Sequence, residues 1–136
     1  MTYALSGVLQ SAVYAVLTSD PTLTGLVGNA IYDAVPSGTL PGTYVLLGPE
    51  QVRDASDKSG SGALHRLTIA VVTSQPGFAT AKAAAAAISD ALHDADMALS
   101  RGRLVYLHFD RAQARRILGG AGREVLLTFR ARVEDD

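Results

Sequence analysis

The sequence predicts an α+β fold: a two-layer sandwich in which a mainly antiparallel four-stranded sheet carries two main helices on one face, in a single domain over residues 1–136. Three observations predict it. Four segments read as strands: the first, 43–48, is rich in β-formers, and the other three alternate faces with the period of a strand. One alanine-rich segment between the second and third of them has the period of a helix. Gly and Pro punctuate the chain between segments, at spacings that favour consecutive hairpins.

The N-terminal segment 4–18 places Leu5, Leu9, Val13, Val16 and Leu17 at helical spacing, with Ser6, Gln10 and Ser11 on another stripe. Asp20-Pro21 follows as an N-cap and first helical residue, because the N–H that proline lacks is unpaired there in any case. The short helix Pro21–Val27 ends at Gly28, a residue suited to a helix C-terminus. Ile31-Tyr32 begins a short extended piece, and Pro36-Ser37-Gly38 and Pro41-Gly42 mark turns.

A strand is predicted at 43–48 (TYVLLG) and a second at 64–74. In the second, Leu67, Ile69 and Val71 take one face and Arg66 and Thr68 the other. Between Val52 and Leu64 lies the polar run RDASDKSGSG, which reads as a long loop. The strongest helix is 78–95. Its Phe78, Ala81, Ala85, Ile88 and Leu92 form one stripe, and the alanines at 83–87 let it lie close on a sheet. Two further strands, 103–116 and 123–135, form a long hairpin across 117–122. In the first, Val105, Leu107 and Phe109 oppose Leu104, Tyr106 and His108. In the second, Val125, Leu127, Phe129, Ala131 and Val133 oppose Glu124, Thr128, Arg130 and Arg132.

Composition narrows the chemistry. With no cysteine, disulfides, thiolate metal sites and cysteine nucleophiles are excluded. No basic n-region and no long apolar run is present, so the chain is expected to be soluble, without a membrane partner, and made in the cytosol. Net charge is −1, but unevenly placed: residues 1–52 hold Asp20, Asp33 and Glu50 and no Lys or Arg, whereas eight arginines lie from Arg101 onward. No phosphate loop, zinc-protease helix or nucleophile elbow is present. His93 with Asp90, Asp94 and Asp96, and His108 with Asp110, are the groupings nearest to a catalytic or metal site. Neither has enough converging partners, and no enzyme activity, metal or cofactor is expected.

The segments 14-YAVLTSDPTLTGLVG-28, 31-IYDAVPSGTLPGTYVLLGPE-50, 53-RDASDKSGSGALHR-66 and 127-LTFRARVEDD-136 carry a resemblance that covers essentially the whole chain. It resembles the small tail-completion or tail-terminator proteins of long-tailed bacteriophages, in the branch carried by gene transfer agents of alphaproteobacteria. The resemblance implies a structural ring, six-fold, at the head-proximal end of a tail tube, assembled in the bacterial cytoplasm and seated in the particle neck. Such a ring ends tube polymerisation and joins tail to head. The partners it implies are further copies of the chain, the tail tube protein, a head-side connector or stopper, and DNA in transit through the channel.

On that footing Glu50, Arg53, Asp54, Asp57 and Lys58, with their mixed signs, are candidates for contact with a neighbouring subunit or the tube. They lie in or beside a loop expected to be loose in the free protomer and to order on contact. Arg111, Arg115 and Arg116 are candidates for the channel lining or the next subunit. Two other readings are another neck component (a head-completion or stopper protein) and a small hydrolase or ligand-binding domain. The last requires a concave pocket where His93 or His108 converges with carboxylates.

Overall fold

The computed structural model describes residues 3–58 and 60–135. In chain order the elements are α1 (Ser6–Ser19), α2 (Pro21–Val27), β1 (Ile31–Tyr32), β2 (Thr43–Asp54), β3 (Ser61–Thr73), α3 (Ala79–Leu92), β4 (Arg103–Ile117) and β5 (Gly122–Asp135), with a 3-10 turn at Leu118–Gly120. The architecture is α+β, with the helices packed on one face of one sheet.

The sheet corrects the four-stranded antiparallel expectation. It has five strands in the order β1-β2-β3-β5-β4, and β1 pairs parallel to β2, through Ile31 with Val45 and Tyr32 with Leu46. Two residues make a strand here because Ile31 is buried and Val45 N–H donates to the Ala30 carbonyl at 2.9 Å. The other three pairings are antiparallel.

The helices follow the predicted stripes. Leu5, Leu9, Val13 and Leu17 are buried, as are Ala81, Ala85, Ile88 and Leu92. Ala81 and Ala84 are wholly enclosed, so the small side chains do bring α3 close to the sheet. Asp20 caps α2, its carboxylate accepting from Leu23 N–H at 2.9 Å, with Pro21 in the first helical turn. Gly28 closes that helix at φ +63°, a conformation that costs glycine nothing. α3 stops at Leu92, short of the expected Ala95; beyond it His93 is extended and Asp94 takes φ +59°.

The polar run after Val52 is not a long loop. β2 continues to Asp54 and β3 starts at Ser61, so Arg53 pairs with Leu64 and Asp54 with Ala63. Ala55 N–H donates to the Gly62 carbonyl at 2.9 Å, and Asp57 N–H to the Gly60 carbonyl at 3.1 Å. The side-chain pattern hid this because a backbone ladder needs no apolar residue where the hairpin runs beyond the helices. A further correction concerns β4. Register shifts between Leu104 and Tyr106 and between Phe109 and Arg111 put Leu104, Leu107 and Phe109 on the helix side, while Val105, at a shift, is 40% exposed. A bulge inserts a residue and moves every side chain after it to the other face.

Candidate functional site

The helix-free face of the sheet is where charge gathers. Across four strands the register aligns Gln51, Arg66, Arg130 and His108 in one row and Arg53, Leu64, Arg132 and Tyr106 in the next. Thr68, Thr128 and Arg111 form a third, and Tyr44, Val72, Glu124 and Arg115 a row nearer the β4–β5 turn. Six arginines thus share one face: Arg53, Arg66, Arg111, Arg115, Arg130 and Arg132. Sequence alternation shows Arg66, Arg130 and Arg132 facing outward. That they stand side by side follows only from the pairing of β3 with β5.

Half of these arginines are neutralised within the chain. Arg115 Nε lies 2.9 Å from Glu124 Oε1, Arg130 Nε 3.6 Å from Asp110 Oδ1, and Arg132 donates to the Ala55 carbonyl at 2.9 Å while 3.8 Å from Glu134. The side chains of Arg53, Arg66 and Arg111 are exposed and make no ion pair or hydrogen bond among the described residues. Arg66 lines two shallow depressions of about 250 and 330 Å³, one shared with Arg53 and Arg130, the other with Arg111 and Thr128. A face that keeps three cations free is suited to anionic matter, with an attraction screened beyond roughly 8 Å at physiological salt.

Of the expected interface residues, Arg53, Asp54, Asp57 and Lys58 lie at the tip of the β2–β3 hairpin, all exposed. Asp54 and Asp57 also organise the turn, accepting from Ser56 and from Gly60 N–H. Glu50 is separate from them. It turns inward, where its carboxylate accepts from Ser6 and Tyr3 hydroxyls of the N-terminal segment and lies 3.3 Å from Nδ1 of fully buried His65. Burial alone would raise its pKa; the hydrogen bonds from Ser6, Tyr3 and His65 outweigh that and hold it below the ordinary carboxylate value. His65 was missed in the sequence. The alternation Ile69, Leu67 continued back two residues puts it on the buried face.

Arg111 and Arg115 stand on the helix-free face. Arg116 pairs with Arg123 and belongs to the opposite one, at the sheet's end. The histidines combine differently from their sequence neighbours. Phe109 N–H donates to His93 Nδ1 at 3.0 Å, which leaves the neutral ring's proton on Nε2, 3.4 Å from Asp94. His108 Nε2 lies 3.2 Å from the same carboxylate, and its ring stacks on Tyr106 at 4.6 Å. Both His93 nitrogens are committed, one to a backbone donor, so Nε2 is a donor here and not a metal ligand. Among the described residues no group of three or more His, Asp or Glu is placed to hold a metal ion, and no helix is long and apolar enough to cross a membrane.

The sheet has two open edges. Beyond β1, residues 47–54 of β2 have no strand partner on their outer side. On the opposite edge, Asp94 N–H donates to the Leu107 carbonyl at 2.8 Å and His93 takes the Phe109 N–H, so the connection after α3 covers the middle of β4. From Asp110 to Arg116 every residue of β4 is exposed. Unprotected edges of this kind are surfaces for pairing.

Residues 11–134 match the family model of tail completion protein gp17. Among solved structures, a chain of the virion of a native gene transfer agent particle is similar at 62% identity, with a TM-score of 0.94, over 98% of this chain and 99% of that one. No curated protein matches.

Proposed function

The chain belongs to the tail completion protein gp17 family, and from that membership we propose that it forms a ring capping the head-proximal end of a phage-like tail tube. The ring ends tube polymerisation and joins the tail to the head connector. The observation that carries this reading is the near-complete likeness to a virion chain. The surfaces described above supply its parts: two open sheet edges for joining copies, and a helix-free face for the channel.

In this reading six copies close around an axis in the particle neck, after assembly in the bacterial cytoplasm. The helices face outward and the arginine face looks into the channel. DNA in transit meets Arg53, Arg66, Arg111 and Arg115, whose modest charge attracts phosphates while leaving passage reversible; a tightly gripping lining would need many more contacts. Arg116, on the other face, points toward a neighbouring subunit. The hairpin tip with Arg53, Asp54, Asp57 and Lys58 lies at the opposite end of the sheet from the β4–β5 turn, and it meets the tube or the adjacent copy. Glu50 supports this tip from within. The work is geometric, with no reaction and no cofactor.

Particles made without this chain provide the test. The expected result is headless tails of uncontrolled length in electron micrographs. Tails of normal length that fail to attach would assign the chain to a stopper or head-completion position instead. Normal headed particles would overturn both.

A further inference from the structure

We propose that β4, between Asp110 and Ile117, docks on the β1 edge of a second copy, so that sheets continue head to tail from one subunit to the next. This inference rests on the ring reading above and names the surfaces that would close it.

Three observations carry it. The first is level. The register aligns Tyr32, Leu46, Ala70, Leu126 and Gln113 in one row across the sheet, and Ile31, Val45, Val71, Val125 and Ala114 in the adjacent row. The short outer strand at one edge and the uncovered stretch of β4 at the other therefore stand at the same height. Copies joined edge to edge at equal height turn about an axis without climbing along it, which is the condition for a closed ring rather than an open filament.

The second is charge. The β1 side is built from residues 1–52, whose only charged side chains are Asp20, Asp33 and the internally bound Glu50. Asp33 is exposed directly after β1. The uncovered part of β4 carries Arg111 and Arg116, with Arg115 paired to Glu124, against a single acid, Asp110, which pairs with Arg130. Like edges would repel, whereas unlike edges attract.

The third is apolar surface. Tyr14, Val35 and Leu40 are 39%, 45% and 37% exposed on the β1 side, and Leu118 is 77% exposed at the end of β4. A groove of about 660 Å³ lies between α1 and β1, with Tyr14, Tyr32 and Asp33 in its wall. Two different patches at opposite edges make a heterologous contact, not one related by a two-fold axis.

The chain has no cysteine, so cross-links between its copies report only introduced pairs. Ala34→Cys and Ala112→Cys are both at exposed positions, one beside each edge. Particles carrying both substitutions, treated with a short bis-maleimide, are expected to yield a ladder of chain multiples on a denaturing gel. Either substitution alone is expected to leave monomer only. Adding Asp33→Lys to the pair is expected to remove the ladder from the particles, with unchanged thermal unfolding of the purified chain. Dimers from one single-cysteine variant, or no ladder from particles that contain several copies, would overturn the edge assignment and leave the ring reading standing. One copy per particle would overturn the ring reading itself.

Discussion

Glu50 and His65 meet inside the protein, Oε2 against Nδ1 at 3.3 Å, with the imidazole fully buried and the carboxylate also fastened to Ser6 and Tyr3. Two strands and the start of the first helix are held at that point. Because the pKa of Glu50 is lower in the folded chain than its ordinary value of 4.5, its contribution is fully present above that value. It is lost as pH falls through the lower, folded pKa. Glu50→Gln is expected to cost about 1.5–3 kcal/mol at neutral pH, the range for hydrogen bonds to a charged group. It is also expected to flatten the acid limb of a pH–stability profile measured by urea unfolding. An acid limb identical to that of the parent chain would show that the network contributes nothing.

Gly102 and Gly25 are expected to respond oppositely to alanine. Gly102 sits at φ +63°, and a Cβ there would lie 2.5 Å from the Glu134 carbonyl and 2.8 Å from Leu5. Gly102→Ala should lower stability by more than about 1 kcal/mol. Gly25, inside α2 with open space around it, should gain about 0.5–1 kcal/mol from the same change. Thermal melts of the two variants decide it by their signs.

Ala84 is enclosed completely where α3 lies on the sheet. Ala84→Leu forces extra methylenes into a packed layer, at an expected cost of about 1–3 kcal/mol. Phe129, also fully buried and in edge contact with Phe109, fails in the other direction: Phe129→Ala leaves a cavity worth about 3–5 kcal/mol. Chemical denaturation midpoints measure both.

Asp20→Ala removes the carboxylate that accepts from Leu23 N–H. The expected loss is about 0.5–2 kcal/mol, and Asp20→Asn should recover most of it. A midpoint for the alanine variant equal to that of the parent would mean that α2 is held by packing of Leu23 alone.

Arg66 and Arg111 are exposed and their side chains have no partner among the described residues, so their removal should barely touch folding. Arg66→Ser with Arg111→Ser is expected to change stability by under about 0.5 kcal/mol while lowering DNA delivery by assembled particles. If delivery were unchanged with normal assembly, the arginine face would not line the channel.

The helices were legible because each writes its own signals locally: the spacing of Leu5, Leu9, Val13 and Leu17, the Asp20-Pro21 start and the Gly28 stop, and the alanine run before Ile88. The cores of β3 and β5 were legible from alternation. What escaped depends on pairing. Ile31-Tyr32 is too short to show a period, and its strand exists through β2. Arg53 and Asp54 are polar yet stay in the ladder because their backbones find Leu64 and Ala63. The bulges in β4 move Leu104 and Val105 to unexpected faces, and no local signal marks them. The candidate surface shares this limit. Single arginines are visible in the chain, but the patch is made by register. Glu50 read as a surface charge because its buried partner, His65, lies on the neighbouring strand.

β5 occupies the middle of the sheet, between β3 and β4, although it follows both in the chain. A nascent polypeptide emerging from the ribosome therefore makes β3 and β4 before the strand that unites them. Until β5 leaves the exit tunnel, the inner layer of Val125, Leu127 and Phe129 is missing from beneath α3. Both flanking strands then present bare backbone to the crowded interior of the cell. Folding of this chain thus waits until β5 has cleared the tunnel, and a longer wait widens the interval in which holdase chaperones can capture it.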